Sequence, residues 1–94
     1  MATVNLSWTA PTTGGAATSY NLYRLGYAEG SVPSSTPSAD AIKSQGSVAG
    51  NPGASDTTFS DTGVSSRNTY YYTIAGENTG GEGALSNVAT AAIP

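Results

Sequence analysis

Between Asn68 and Ala75 the chain reads NTYYYTIA, with Tyr70, Tyr72 and Ile74 falling on one side of an extended backbone and Tyr71 and Thr73 on the other. A period of two is the period of a strand, because successive side chains leave an extended chain on opposite faces. The same period occurs near the start, where Val4, Leu6 and Trp8 alternate with Asn5, Ser7 and Thr9. In SYNLYRL, residues 19–25, Tyr20 and Leu22 take one face while Tyr23 and Leu25 take the other. Apolar cover on both faces predicts an inner strand there rather than an exposed edge.

The remaining segments carry weaker signals of the same kind. Thr57 to Asp61 has β propensity around Phe59, GENTGGEGALSN is expected to be a glycine-rich hairpin connection, and Val88, Thr90 and Ala92 form a last extended run. Pro11 is expected to end the first strand ahead of a turn at Gly14 and Gly15. Thirteen Ser, thirteen Thr and twelve Gly favour short strands joined by turns over helices. The expected fold is therefore all-β, a two-sheet sandwich of six to seven antiparallel strands. Its core is expected to be Val4, Leu6, Trp8, Tyr20, Leu22, Phe59, Val64, Tyr70, Tyr72 and Ile74.

Ninety-four residues leave room for one domain, spanning 1–94. Residues 26–56 hold three prolines and many small side chains, with too little apolar surface for a second core. They are expected to form an inserted loop or arm, with Ala41 to Val48 supplying one short strand.

Composition narrows the chemistry. With no His and no Cys, an imidazole base, a thiolate nucleophile and the Cys or His metal sites are all missing. The six carboxylates, Glu29, Asp40, Asp56, Asp61, Glu77 and Glu82, are scattered through expected turns without the pairing of a glycosidase acid and base. Asp56 and Asp61 flank a strand, but no oxygen-rich calcium loop surrounds them, so strand-end turns explain them better. GENTGGEGA has neither the lysine nor the following helix of a phosphate loop. Three cations, Arg24, Lys43 and Arg67, are too few for a nucleic-acid groove. No apolar run reaches the roughly 20 residues of a spanning helix. The chain is read as non-enzymatic, with no cofactor, no metal, no nucleic acid and no membrane insertion.

Three stretches, LSWTAPT, SYNLYRL and TTFSDTGVSSRNTYYYTIAGENTGGEGALSN, together resemble a fibronectin type III domain of the bacterial and phage kind. The resemblance implies an immunoglobulin-like sandwich in which Val4, Leu6 and Trp8 belong to the second strand of the family, the first being missing or reduced. Val64 and Tyr70, six apart, match the family's tyrosine corner, which implies that the Tyr70 hydroxyl bonds to nearby backbone. A missing first strand would leave unpaired backbone groups open to another chain. Two alternatives stay open: Met1 to Thr3 form a stub of that strand, or residues 34–48 fold across the edge.

Function is then expected from shape and surface. A Met-initiated chain without an export signal, with few charges and an open edge, is read as a small virion decoration or accessory protein docked on a larger capsid or tail lattice. One alternative is a spacer or accessory module of a secreted bacterial enzyme or surface protein, hence extracellular. The other is carbohydrate or host-surface binding, including weak glycan binding, through Tyr23, Tyr27 and Tyr71.

Overall fold

The computed structural model describes residues 3–8, 17–53 and 55–94. The expected stop at Pro11, the turn at Gly14 and Gly15 and residues 1 and 2 of the expected stub lie outside them. In chain order the described elements are β1 (Val4–Ser7), β2 (Ser19–Ala28), α1 (Ala39–Gln45), β3 (Ser47–Gly50), β4 (Thr58–Asp61), β5 (Asn68–Asn78), β6 (Gly81–Glu82) and β7 (Ala89–Ala92).

These strands make two antiparallel sheets. β1 pairs with β4 alone, from Val4 opposite Asp61 to Ser7 opposite Thr58. In the second sheet β2 lies between β3 and β5, and β5 pairs in turn with β6 and β7. The β2–β5 ladder runs from Ser19 opposite Glu77 to Ala28 opposite Asn68, so both strands outrun their expected limits by three residues. Their alternation does what the sequence implies: Tyr20, Leu22, Tyr70, Tyr72 and Ile74 are buried with Val4 between the sheets. Leu6, Trp8, Phe59 and Val64 close around them, partly buried. Each large side chain taken out of water here contributes about 2 kcal/mol.

The two sheets are offset rather than stacked squarely. A Cβ added at Gly50 of β3 would collide with the Phe59 ring of β4, so β4 closes over the β3 side. Trp8, directly after β1, packs on Tyr20 of β2, and Val4 joins the cluster formed by β2 and β5.

Residues 26–56 correct three expectations. Instead of a strand over Ala41 to Val48, the chain forms a helix over Ala39–Gln45 and a strand over Ser47–Gly50. Ser38 caps the helix, its hydroxyl accepting from the Ala41 N–H at 3.2 Å, with Asp40 in the first turn and Lys43 in the last, the charge order that suits the helix dipole. One apolar residue is enough to anchor this short helix: Ile42 is 0% exposed, packed with Tyr23 and Tyr71 on the outer face of the five-stranded sheet. The segment is thus not wholly loop, and the fold is two antiparallel β-sheets with one short helix. Nor does it cover the β1 edge, since α1 lies on the outer face of β2 and β5 while β3 pairs with β2.

Candidate functional site

The open edge starts from hydrogen-bond alternation. Trp8 donates its backbone N–H to the Thr57 carbonyl at 2.9 Å, which extends the β1–β4 register by one pair. Antiparallel pairs alternate between bonded and non-bonded, so Val4 and Leu6 turn their backbone groups towards β4. Asn5 and Ser7 turn theirs away from it. Among the described residues no strand pairs with that outer side. β1 also lacks charge and proline, two of the devices that usually blunt an edge.

Beside the edge lies a groove of about 510 Å³. Leu6, Trp8, Tyr20, Leu22, Tyr72 and Ile74 form its apolar floor, and Ala84, Asn87 and Ala89 stand at the opposite rim. That rim is fixed by Ser86: its N–H donates to the Ile74 carbonyl at 2.8 Å, its hydroxyl accepts from the Ile74 N–H at 2.9 Å, and its carbonyl accepts from the Thr73 hydroxyl at 2.9 Å. Trp8 packs edge-on against Tyr20, with ring centroids 5.5 Å apart. Its indole Nε1 is buried and has no hydrogen-bond partner among the described residues, although a buried donor left unsatisfied is destabilising by about 1–3 kcal/mol.

Two polar clusters hold the surrounding layers in register. Arg24, on the Tyr20 and Leu22 face of β2, reaches across to β4 and places Nη1 2.8 and 3.0 Å from the two carboxylate oxygens of Asp61. The Tyr72 hydroxyl donates to the same carboxylate at 2.8 Å and the Gly63 N–H at 3.0 Å. Burial pushes the Asp61 carboxyl up, but the hydrogen bonds from Arg24, Tyr72 and Gly63 together outweigh it and leave the pKa below its ordinary value. The Arg24 guanidinium lies 5.4 Å from the centre of the Tyr70 ring. Tyr70 in turn accepts the Ser65 N–H at its hydroxyl, 2.8 Å away, and the Asn68 amide at 3.2 Å.

On the outer face, Glu82 of β6 collects the Lys43 ammonium of α1, the Tyr23 hydroxyl at 2.5 Å and the Asn21 amide at 2.9 Å. The hydrogen bonds from Lys43 and then Tyr23 lower the Glu82 carboxyl to about 2. Burial, and then the bond to Glu82, push the Tyr23 phenol up to about 12.

The expected tyrosine surface is corrected by this cluster. Tyr23 and Tyr71 do share a face, but α1 covers them, leaving them 9% and 4% exposed. Tyr27 sits at the end of β2 rather than in a loop, half-buried and edge-on to Tyr71 at 6.1 Å. The three rings therefore pack under and beside the helix and do not form a stacking platform. Asp56 and Asp61 serve separate structures, Asp56 accepting from the Gly53 N–H at 2.8 Å, and the described residues contain no group of three side chains suited to a metal ion. No described helix is long and apolar enough to cross a membrane.

Asp61 and Glu82 are the polar residues that sequence reasoning misplaced, reading both as turn carboxylates. A signal for Asp61 was present, since it shares the parity of Phe59 and so faces inward. Nothing comparable marks Glu82, whose partners come from three separate residues on two other elements, α1 and β2.

The fold and the edge define a small two-sheet β protein in which, among the described residues, β1 has a strand on one side only. Comparison with protein-family models, with curated proteins and with solved structures finds no match.

Proposed function

We propose that the protein is a non-enzymatic docking module that joins a larger protein assembly by accepting an extended segment of a partner along the outer edge of β1. The observation that carries this is the pair of outward-facing backbone units at Asn5 and Ser7, which have no strand beside them among the described residues. Strand addition satisfies such groups directly, with main-chain bonds supplying affinity. The non-enzymatic part is supported by the engagement of the gathered carboxylates, Asp61 and Glu82, in ion pairs and tyrosine hydrogen bonds within the molecule.

The fibronectin type III likeness belongs to the same proposal. In an immunoglobulin-like sandwich the first strand pairs with the second, and β1 takes the second strand's part here. The bond from the Ser65 N–H to the Tyr70 hydroxyl supports the tyrosine-corner role. For the setting we propose a virion lattice, in which many copies dock through that open edge.

Amide exchange tests the docking. Asn5 and Ser7 should exchange more slowly in the native assembly, purified from its source, than in the isolated chain; equal rates would overturn the proposal. Ser7→Pro removes one outward donor and no β1–β4 bond, so it should leave the fold intact while preventing incorporation into the assembly. The setting has its own test: full-length chain should be present at fixed stoichiometry in purified virions, and its absence there would remove the virion without removing the docking.

A further inference from the structure

The groove beside β1 has features that a bare sheet edge lacks, and they bear on what kind of segment enters. Its floor is apolar, its far rim is pinned to β5 by Ser86, and it holds one buried donor, Trp8 Nε1, with no acceptor among the described residues. In a chain with nine ionised side chains, none of them lines this groove. A charged side chain entering it would find no counter-ion, and burying an unpaired charge is far more unfavourable than burying a methyl group.

We infer that the groove selects, from a partner protein, an uncharged extended segment with aliphatic side chains at every second position, and that an oxygen of that segment accepts the Trp8 indole N–H. This rests on the docking proposal and sharpens it. A strand beside β1 turns alternate side chains into the groove and the others towards solvent. Those entering meet Leu6, Trp8, Tyr72 and Ile74, while its amides and carbonyls meet Asn5 and Ser7. The β1 strand of a second copy does not fit this description, because its own Val4, Leu6 and Trp8 already pack inward. The neutral lining matches a neutral insert, whereas a cationic or acidic peptide gains nothing from it.

The single tryptophan of the chain is Trp8, so its emission reports on the groove alone. The probe is a blocked synthetic peptide of alternating Thr and Val with one Lys at each end for solubility. Three controls share its ends: one has each Val replaced by Asp, and the other two carry N-methyl groups on the amides of one edge or of the other. The alternating peptide should shift the Trp8 emission saturably and slow exchange at the Asn5 and Ser7 amides. Substitution by Asp, and methylation of the pairing edge, should each weaken binding tenfold or more. Ala84→Phe, placed at the exposed rim where it makes no structural bond, should weaken the alternating peptide tenfold with unchanged circular dichroism and melting temperature. Trp8→Phe, followed by exchange at Asn5 and Ser7, should weaken binding severalfold through loss of the indole donor.

The inference is overturned by an absence of emission change up to millimolar peptide, by equal binding of the Asp peptide, or by indifference to Ala84→Phe. It is also overturned if concentrating the chain alone protects Asn5 and Ser7 and produces a dimer, since the occupant is then a second copy. Protection of those amides in the native assembly, with no discrimination among the peptides, would leave the docking proposal standing and remove only the groove's selectivity.

Discussion

At the residue scale the molecule invests its few charges in joining layers. The Arg24–Asp61 pair spans the gap between the two sheets, with Tyr72 completing the carboxylate's shell. Asp61→Asn should therefore destabilise the fold by about 3 kcal/mol in urea titrations, because it strands a guanidinium against the Tyr70 ring. Tyr72→Phe, which removes one hydrogen bond and no packing, should lower stability by about 1 kcal/mol in the same titrations. Glu82 gives a pH signature. Its carboxyl is held at about 2 in the folded chain against an ordinary 4.5, so the folded state binds its proton less readily than the unfolded one. The stabilisation it provides is complete above the ordinary value and is lost as the pH falls from there towards about 2. Glu82→Gln should accordingly be less stable than the parent at neutral pH, with the gap narrowing through that acidic window. A constant gap across it would refute the assignment.

At the element scale α1 depends on very little. Ser38 supplies its cap, Ile42 its one fully buried side chain, and the Lys43–Glu82 pair its tie to β6. Ile42→Ala should be destabilising by about 3 kcal/mol and should raise the exchange of amides beneath it, around Tyr23 and Tyr71, more than those around Leu6. Ser38→Ala should lower stability by about 1 kcal/mol, measured by thermal unfolding. This element was also the least legible in the sequence. With Ile42 as its only large apolar residue, ADAIKSQ shows neither a helical nor a strand period, and the deciding information lies in the Ser38 cap and in the Tyr23–Tyr71 face that receives Ile42. By contrast β1, β2 and β5 were legible as strands, because Val4 and Leu6, Tyr20 and Leu22, and Tyr70, Tyr72 and Ile74 each repeat at the spacing the pleat requires.

At the scale of the whole molecule, the inward sets of three strands placed Val4, Leu6, Trp8, Tyr20, Leu22, Tyr70, Tyr72 and Ile74 together between the sheets, where the structure has them. Sequence alternation could not say which sheet was short on which side. That depends on Phe59 closing over Gly50, a contact between β4 and β3 that no local pattern encodes. Among the described residues, one side of the sandwich has a strand, β1, with no strand next to its outer groups and a groove beside it. A two-stranded sheet is marginal by itself, so a third strand added to β1 should raise the melting temperature of the complex by mass action, a shift that differential scanning calorimetry reads without a label. The register also orders events in time. Val4 pairs with Asp61, so during synthesis the N-terminal strand leaves the ribosome well before its mate exists. Until β4 and β5 are made, Val4 and Leu6 lack their pairing strand and Trp8 has only Tyr20 and Leu22 of β2 to lean on, and that interval is when a chaperone or a waiting assembly partner would find the nascent chain most receptive.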